Sequence, residues 1–496
     1  MSGPKPAAEP LADSVDLPAW LAGRLAALQP TGSRAGWVVA FSGGADSLAL
    51  LVGLHRLQRS LPAGERAPLR AIHVDHGLNP RSAQWAAACR RRCRALGVPL
   101  TVRRVRVALV RGVSVESAAR DARYAQLRAS LRCGEILFTA HHLDDQFETV
   151  LLQMMRGAGV NGLAAMPEVA VLGRGWHLRP LLTLERRQLV GWVRAQGLAW
   201  IDDDSNADPR FDRNYLRHQV LPLLQARWPA AARVAARSAG HLAEARGLLA
   251  ELAAQDLARV LQGRSIDMEA LATLSAPRRR NAVRAWIAGQ GLPGPDTRHL
   301  ARILGELCAA RRDALPMVAW AGAEVRRHRG RLYAMAPFAA TAGAPGSAPL
   351  RAREWRWRRA RPLDLGAGLG SLVLRGDPLG PLDGASLPAT LRVSFRAGGE
   401  RLRTEPGGPR RAVKELLRTG GVLPWMRSRL PLVQAGDRLV AIADQFVAAD
   451  FGARPGSRSR YRLEWLQGPP TRADSPEPAP RPVSPALRAR RTPDRG

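Results

Sequence analysis

Short apolar runs alternate with helical apolar repeats along the first part of the chain. The runs are short enough for buried strands, and the segments between them repeat apolar residues at the three- and four-residue spacing of a helix. The pattern predicts strands at 37–41, 69–74, 100–107 and 136–140, and helices at 18–28, 47–58, 82–96, 115–131 and 143–155. Strands and helices that alternate in this way form βαβ units. We therefore expect an α/β domain with a doubly wound parallel sheet.

The pattern changes after residue 214, where only a helical repeat continues to about residue 308. Short strand-like runs return from about 391 to 466, with one helix at 411–418. A helical domain and a small α+β C-terminal domain are therefore expected after the α/β domain. The predicted segments are a flexible lead-in at 1–30, the α/β domain at 31–222, the helical domain at 223–342, a linker and connecting segment at 343–390, the C-terminal domain at 391–468 and a disordered Pro- and Arg-rich tail at 469–496.

Length and composition agree with this division. A chain of 496 residues corresponds to about three domains, and an apolar content of 46% is enough to bury large cores. There is no uncharged apolar stretch of membrane-spanning length, and the polar, Pro-rich N-terminus lacks the apolar segment of an export signal. The 4 cysteines are too few for a disulfide scaffold. These features predict a cytoplasmic protein with no membrane partner.

The basic excess is the strongest signal in the composition. The chain has 75 Lys and Arg against 42 Asp and Glu, which gives a formal net charge of +33. Such an excess favours a nucleic-acid partner, because each neutralised phosphate releases counterions. Only Lys5 and Lys414 are lysines, and GC-rich coding alone can favour Arg over Lys. That bias does not explain the surplus over acids.

A Ser- and Gly-rich turn joins the first predicted strand to a helix. Its residues are Ser42, Gly43, Gly44, Ala45, Asp46 and Ser47. Glycines let the backbone approach an anion, serine hydroxyls donate hydrogen bonds, and a helix N-terminus adds a positive dipole. The Gly-Lys-Ser/Thr of a Walker loop is absent from the sequence. An ordinary turn with an N-cap serine is the simpler alternative to a phosphate cradle.

His73, Asp75 and His76 come at the end of the second predicted strand. Ligands of open parallel sheets bind beyond the carboxyl ends of the strands, so we expect these residues to line a nucleotide crevice. A strand end with a capping aspartate is the alternative. Zinc is disfavoured, because no nearby Cys or His completes a set of four ligands.

A histidine pair followed by Asp144 and Asp145 opens the helix after the fourth predicted strand. Helix capping explains the aspartates in part but leaves the histidines unexplained. Asp145 and Glu148 share a helix face, and together with Asp46 they could hold Mg²⁺ through carboxylate oxygens and waters, with Asp46 and Asp145 as the chosen ligands. One of the two adjacent aspartates could also act as a general base on an amine.

Arg120 and Arg123 lie one helical turn apart. Both could reach an α-phosphate whose negative charge grows in a transition state. A solvated basic face explains the pair equally well in so Arg-rich a chain.

In chain order, these motifs resemble those of bacterial tRNA(Ile)-lysidine synthases, which are PP-loop ATP pyrophosphatases. The resemblance is close over 35–222 and resumes at 278–303 and 398–401. The matching segments are SGGADS at 42–47, HVDHGL at 73–78, ARDARY at 119–124, HHLDDQFET at 141–149, RGAGVNGL at 156–163, RPLL at 179–182, DDDSNADPRFDRNYLR at 202–217 and KELLRTGGVLPWMRSRLPLVQAGD at 414–437. Ala397 stands where the family usually has Pro, which leaves the rigidity of that loop in doubt.

The resemblance implies a two-step ligation. ATP adenylates the C2 oxygen of the wobble cytidine in the CAU anticodon of tRNA(Ile), and the ε-amine of L-lysine then displaces AMP. The product, lysidine, switches decoding from Met to Ile. The implied cofactors are ATP and Mg²⁺, and a homodimer is also suggested. By resemblance, the helical domain contacts the anticodon arm and the C-terminal domain contacts the acceptor region.

The resemblance also assigns roles to individual residues. The implied catalytic residues are Asp46, Asp144, Asp145, Arg120 and Arg123. The implied substrate contacts are Glu148, Arg156, Asp203, Asn206, Arg213, Asn214, Arg217, Lys414, Arg427 and Arg429. The acids at 202–204 and 208 could hold the lysine amine, although an Asx-rich turn is the competing explanation.

Other functions predict different features. A PP-loop tRNA thiolase needs paired cysteines, whereas Cys89 and Cys93 are spaced as buried structural thiols on one helix. An amidotransferase-linked synthetase needs a nucleophilic N-terminal Cys or a glutaminase domain. A non-catalytic RNA-binding protein would not need the aspartates at 46, 144 and 145. We expect Trp425 to lie in a core rather than to stack on a base.

Overall fold

The computed structural model describes residues 15–28, 36–77, 79–105, 115–202, 208–311, 314–337, 352–359, 361–366 and 369–466. The predicted lead-in is therefore described only from residue 15, and the predicted tail at 469–496 lies outside the described residues. The chain divides into two compact units, Met1–Leu248 and Leu249–Gly496. None of the described helices is long and apolar enough to cross a bilayer.

The first unit has the α/β architecture that the sequence predicts. Its strands are β1 Trp37–Ala40, β2 Leu69–Asp75, β3 Leu100–Arg104, β4 Ile136–Phe138, β5 Val169–Leu172 and β6 Gly175–Leu178. Its helices are α1 Leu17–Leu28, α2 Ala45–Ser60, α3 Ser82–Leu96, α4 Val115–Ser130, α5 Leu143–Met155, α6 Val160–Leu163, α7 Arg186–Ala195, α8 Asp212–Tyr215 and α9 Leu221–Arg227. The unit boundary falls within α10, Ala231–Val260.

The six strands form one sheet in the order β3-β2-β1-β4-β6-β5. β1 pairs in parallel with β2 and β4, β3 is parallel to β2, and β6 is parallel to β4. This confirms the predicted parallel sheet. The antiparallel β5–β6 hairpin at the edge was not predicted, because two strands of four residues are too short for a periodic signal.

Helix α2 packs against the centre of the sheet and carries the predicted phosphate turn at its start. Its leucines at 48, 50, 51 and 54 are completely or almost completely buried. Gly53 lets α1 approach closely, since a Cβ at that position would lie 2.8 Å from Leu21 Cδ1. Packing on both sides therefore holds the N-terminus of α2 at the carboxyl edge of the sheet.

The middle segment is not purely helical as predicted. Its helices are α11 Met268–Ala272, α12 Ala276–Gly289 and α13 Thr297–Arg302. Its strands are β7 Leu261–Gln262, β8 Ser265–Asp267, β9 Met317–Trp320, β10 Ala323–His328 and β11 Arg331–Met335, in the sheet order β7-β8-β11-β10-β9. The β7–β8 hairpin interrupts the helical repeat with strands too short to leave a pattern in the sequence.

The C-terminal part is built from short strands around one helix. The elements are β12 Arg353–Trp355, β13 Leu363–Asp364, β14 Ser371–Gly376, β15 Leu382–Asp383, β16 Leu391–Phe395, β17 Arg401–Leu402, β18 Arg411–Ala412, α14 Val413–Thr419, β19 Pro431–Ala435, β20 Arg438–Ile442, β21 Phe446–Val447 and β22 Arg460–Leu466. The segment predicted as a linker at 343–390 thus contains β12 to β15. Because β14 pairs along its whole length with β22, this segment belongs to the C-terminal sheets.

Trp425 lies in the core of the C-terminal part, as expected. Its side chain is 6% exposed, and its ring meets Tyr333 edge-on at 5.4 Å between centroids. A buried ring in this position cannot stack on a nucleic-acid base.

We expect Gly175→Ala to lower the midpoint of thermal unfolding. A Cβ at Gly175 would lie 2.2 Å from the carbonyl oxygen of Glu135, so β6 would have to move away from β4. Such overpacking costs on the order of 2 kcal/mol. Circular dichroism during heating measures the effect.

Gly191→Ala on α7 is the matched control. Nothing lies within 4 Å of the added Cβ, and Ala is the better helix former by about 1 kcal/mol. Its midpoint should equal or exceed that of the wild type. If Gly175→Ala unfolds at the wild-type temperature, the close approach of β4 and β6 is wrong.

Candidate active site

The carboxyl ends of β1, β2, β4 and β6 meet at one edge of the sheet. The phosphate turn at 42–47 follows β1, and the segment 73–76 closes β2. The acid-rich start of α5 follows β4, and Arg179 follows β6. The parallel order of these strands therefore brings the separate sequence motifs to one edge.

The turn after β1 is shaped by Gly43 and two serines. Gly43 has φ +93°, and a Cβ there would lie 2.5 Å from Ile201 Cδ1. The Oγ atoms of Ser42 and Ser47 are 2.9 Å apart, and Ser47 donates to the carbonyl oxygen of Gly44 at 3.0 Å. Helix α2 begins at Ala45, so the N–H groups of its first turn face the phosphate turn. These features are those of an anion-binding turn.

Asp46 has one carboxylate oxygen in contact with cations and one without a partner. Its Oδ2 lies 3.5 Å from Arg186 Nε and 3.8 Å from His142 Nε2. Its Oδ1 is buried and has no hydrogen-bond partner among the described residues. A buried carboxylate oxygen left in this state fits a cation ligand.

The described residues contain no group of three His, Cys, Asp or Glu side chains that could hold a metal ion. Mg²⁺ usually binds through one or two carboxylates and completes its shell with substrate phosphates and water. Asp46 next to a phosphate-binding turn fits that mode. These residues do not fit a closed structural metal site, in which protein ligands alone fill the coordination shell.

His142 lies among three carboxylates at the start of α5. Its Nε2 is 3.3 Å from Asp145 Oδ2, and its Nδ1 is 3.5 Å from Asp144 Oδ2, with Asp46 as the third acid. Burial disfavours the charged ring, but Asp145 first and then Asp144 and Asp46 raise the pKa of His142 above its ordinary value. A protonated His142 ring would offset the repulsion among the acids, and in its neutral form Nδ1 accepts from the backbone N–H of Asp145 at 3.4 Å as the N-cap of α5. This explains one histidine of the pair that the sequence left unexplained.

Asp144 and Asp145 are held in the ionised form. Burial opposes this, but hydrogen bonds from His142 and from the backbone N–H of Arg186 lower the pKa of Asp144 to about 2. Burial likewise opposes ionisation of Asp145, whose pKa is lowered by the charge of His142 first and then by those of Arg213 and Arg217. Carboxylates with such low pKa values are weak general bases. They are better suited to hold a cation.

Glu148 was predicted as a substrate contact, but it has no exposed surface. Its Oε2 accepts from Arg213 Nε at 2.8 Å, and its Oε1 accepts from Arg217 Nε at 2.6 Å. Arg217 also lies 3.2 Å from Asp145 Oδ1. Glu148 therefore positions the two arginines, because both of its oxygens are already taken.

Arg120 and Arg123 project from α4 next to the Tyr124 ring, 5.1 and 5.7 Å from its centroid. Both are partly buried, which argues against a purely solvated basic face. Arg179 is 7% exposed, and its Nε has no hydrogen-bond partner among the described residues. Three guanidinium groups gathered in this way favour an anionic ligand.

Two histidines beside these arginines stay neutral. Thr139 Oγ1 lies 2.9 Å from His177 Nε2 and 2.8 Å from His141 Nδ1. Burial first, and then Arg179, lower the pKa of His177 to about 3. Burial also places the pKa of His141 well below its ordinary value. The pocket therefore carries its positive charge on arginine alone.

The end of β2 lies at the same edge, as predicted. His73 Nδ1 is 2.9 Å from the carbonyl oxygen of Phe41, which ties β2 to the phosphate turn. Asp75 accepts from the backbone N–H of Gly77 at 2.9 Å. The Nδ1 atom of His76 is buried without a partner among the described residues, and burial lowers the pKa of that ring.

Several predicted substrate contacts are not part of this cluster. Arg156 is exposed at the end of α5, and Asn214 donates to the carbonyl oxygen of Asp208 at 3.0 Å. Asp203 and Asn206 lie outside the described residues. Lys414, Arg427 and Arg429 belong to the second unit.

Sequence reasoning missed three residues of the site. Arg179 opens one of the motifs that carried the resemblance, but no role was assigned to it. His177 and Arg186 had no local signal, because only the packing of β6 and α7 brings them to the acids and arginines.

Cys89 and Cys93 are buried on α3, as expected for structural thiols. Burial raises the pKa of Cys89 to about 12 and that of Cys93 to about 11. Neither thiol is therefore set up as a nucleophile.

Comparison with known protein families assigns three segments of the chain. The PP-loop domain model matches residues 21–224. The model of the TilS substrate binding domain matches 266–333, and that of the TilS substrate C-terminal domain matches 391–465. The first match includes the whole acid and arginine cluster.

Curated relatives are similar over most of the chain. The tRNA(Ile)-lysidine synthase of Alkalilimnicola ehrlichii is 42% identical over 443 residues, which is 89% of this chain and 96% of that protein. The tRNA(Ile)-lysidine synthase of Pseudomonas aeruginosa is 44% identical over 463 residues, 90% of this chain and 96% of that protein. Among solved structures, the U34-tRNA thiolase NcsA of Methanococcus maripaludis aligns with a TM-score of 0.39 at 16% identity, over 46% of this chain and 79% of that one.

The neutral state of His177 predicts a pH effect on stability. With the folded-state pKa near 3, only the unfolded chain takes up the proton below about pH 6.5, so stability falls as the pH drops. We expect His177→Asn to remove this loss, which amounts to about 1 kcal/mol between pH 7 and pH 5.5. Denaturant unfolding at the two pH values measures it.

The same substitution at His241, which is exposed on α10, serves as the control and should keep the pH dependence of the wild type. An unchanged pH dependence in His177→Asn would mean that His177 is not held neutral.

Proposed function

This chain belongs to the family of the tRNA(Ile)-lysidine synthases, and we propose that it uses ATP to join L-lysine to C2 of the wobble cytidine in the CAU anticodon of tRNA(Ile). The observation that carries the proposal is the likeness to these enzymes over nearly the full length of both chains. A phosphate turn beside an acid cluster supports the same chemistry. The PP-loop domain uses ATP.

In the first step, the C2 oxygen of the cytidine attacks the α-phosphorus of ATP. The bond between the α- and β-phosphates breaks, and pyrophosphate leaves. We assign the pyrophosphate to the turn at 42–47, where the start of α2 and the two serine hydroxyls offer donors. The open backbone at Gly43 supports this assignment.

The arginine pocket would stabilise the charge that builds on the α-phosphate. Arg120 and Arg123 lie on the same side of α4, and the unpartnered Nε of Arg179 is a third donor. Fixed donors in a partly buried pocket stabilise such charge better than water does.

Asp46 and Asp145 are the proposed Mg²⁺ ligands. Asp46 is the stronger candidate, because its Oδ1 has no hydrogen-bond partner in the described part of the chain, whereas the oxygens of Asp145 already contact His142 and Arg217. A bound Mg²⁺ ion supplies Lewis-acid neutralisation of phosphate charge.

In the second step, the ε-amine of L-lysine attacks C2 of the adenylated cytidine, the C–O bond to AMP breaks, and AMP leaves with the electron pair. The amine arrives as an ammonium ion and has to lose a proton. We propose that Asp144 holds the ammonium group, since its carboxylate is ionised at neutral pH and Asp145 is a proposed Mg²⁺ ligand. The ammonium group loses one proton to water before the attack, and the attacking nitrogen loses a second proton to water as the C–N bond forms.

The domain roles follow from this division of the chemistry. We assign the reaction to the α/β domain at 31–222 and tRNA binding to the segments at 223–342 and 391–468. The net charge of +33 supports a polyanionic substrate.

We expect the purified protein to incorporate labelled lysine into an unmodified tRNA(Ile) transcript with a CAU anticodon, in the presence of ATP and Mg²⁺. AMP should form in equal amount. The methionine tRNA with the same anticodon is the control and should stay unmodified. Adenylation without lysine transfer would reopen the identity of the nucleophile. Well-folded protein that changes neither tRNA would refute the proposal.

We expect Asp46→Asn to reduce lysidine formation on the order of 100-fold or more, because the free carboxylate oxygen at the phosphate turn is lost. Affinity for tRNA in a filter-binding assay should stay at the wild-type value. Asp121→Asn, at an exposed site on α4, is the matched control and should keep full turnover. Full turnover of Asp46→Asn would place the active site elsewhere.

A further inference from the structure

The hairpin between β10 and β11 has an unusual residue in its turn. Its two-residue loop consists of Arg329 and Gly330, with φ of +47° and +75°. Two positive φ values in a two-residue loop define a type I′ turn, which favours Asn, Asp or Gly at both positions. Arginine is energetically unfavourable in this backbone conformation, and residues kept in such a conformation are often functional.

The exposed side chain of Arg329 belongs to a group of four arginines in the second unit. We call this group the hairpin arginine cluster: Arg329, Arg396 after β16, Arg418 at the end of α14 and Arg427 after the turn Pro424–Met426. Burial first, and then the charges of the other three, lower the pKa of Arg427. The other three guanidinium groups therefore lie close enough to Arg427 to repel its charge, and the ring of His328, next to Arg329, packs against Trp425 in the turn before Arg427.

Little negative charge offsets this repulsion. Glu400 Oε2 lies 3.9 Å from Arg396 Nε, which is long for an ion pair, and its Oε1 accepts from the backbone N–H groups of Ala397 and Gly398 at 2.5 and 2.8 Å. The neighbouring His328 adds no charge, since burial and then Arg329 and Arg427 lower its pKa to about 4. The cluster lacks a strong counter-charge within the described residues.

The cluster is also oriented by contacts to the core. Arg427 Nε donates to the carbonyl oxygen of Val422 at 2.9 Å, and the His328 ring packs edge-on against Trp425 at 6.1 Å. Arg429 makes a similar contact, from its Nη1 to the carbonyl oxygen of Trp425 at 2.6 Å. It faces Arg326 and Glu324, so it lies outside the hairpin arginine cluster.

We propose that the hairpin arginine cluster binds phosphate groups of the tRNA backbone, and that Arg329 is kept in a strained turn for this contact. The inference rests on the proposed function, which makes tRNA the polyanion. Guanidinium groups match phosphate oxygens in pairs, and repulsion within the cluster is relieved when phosphate binds. Because Trp425 is buried, its ring is not open to base stacking, so backbone contact is favoured over base recognition.

The site joins two parts of the second unit. Arg329 comes from the segment that matches the TilS substrate binding domain, and the other three arginines come from the segment that matches the TilS substrate C-terminal domain. One backbone segment of the tRNA would therefore contact both parts at once.

The test is Arg329→Asn in the full-length protein. Asn adopts the left-handed conformation more readily than Arg, so the midpoint of thermal unfolding should stay the same or rise. Filter binding should show several-fold weaker binding of the tRNA(Ile) transcript, and the slope of log K against log salt concentration should fall by about 0.9. If Arg329 had only a structural role, its replacement would not weaken tRNA binding while the stability of the fold stayed equal or rose.

Two further variants sharpen the result. Arg329→Lys keeps the charge and should retain most of the salt dependence. Arg375→Asn removes an arginine whose charge is already paired with Glu464 at 2.9 Å, and it should bind tRNA like the wild type.

Wild-type affinity and salt slope in Arg329→Asn would overturn the inference, as would an equal loss in Arg375→Asn or a lower unfolding midpoint in Arg329→Asn. These outcomes leave the proposed function intact as long as the wild type forms lysidine. A wild-type protein that neither binds nor modifies the tRNA would instead overturn the proposed function.

Discussion

The candidate active site depends on the compensation of buried charge at the start of α5. Asp144, Asp145 and Glu148 lie within two turns of this helix, and Asp46 approaches from α2. Unpaired, such acids would repel one another and would not remain ionised away from water. His142 contacts three of them, and Arg213 with Arg217 neutralises the fourth. These contacts keep Asp144 and Asp145 ionised, and one oxygen of Asp46 has no hydrogen-bond partner among the described residues.

The positive charge of the protein serves two purposes. Around Glu148 and Asp145, the positive charge pairs with acids of the protein itself and holds them in place. In the pocket of Arg120, Arg123 and Arg179, and again at the β10–β11 hairpin, arginines gather with little counter-charge in the described structure. Sites of the second kind attract anions. The local surplus therefore says more about tRNA binding than the net charge does.

The sequence predicted the elements of the α/β domain well, because long buried helices and central strands have strong periodic patterns. Helix α5 occurs at the predicted residues, and the glycine at 97 ends α3 in the left-handed conformation. The β5–β6 and β7–β8 hairpins were missed, since strands of two to four residues carry too few positions for a pattern. The strands β12 to β15 were taken for a linker, although β14 is six residues long and pairing with later strands stabilises β12 and β14.

The sequence by itself determined the kind of chemistry. The turn at 42–47, the acids of α5 and the order of the motifs were enough to identify the family, because these residues are adjacent in the chain and their local structure follows from it. Only the tertiary structure decided which role each of these side chains has in the site. It buried Glu148 beneath two arginines, placed His142 between acids of α2 and α5, and brought Arg179 and Arg186 to the site. Such contacts join residues that are far apart in sequence, and no local pattern records which of them will meet.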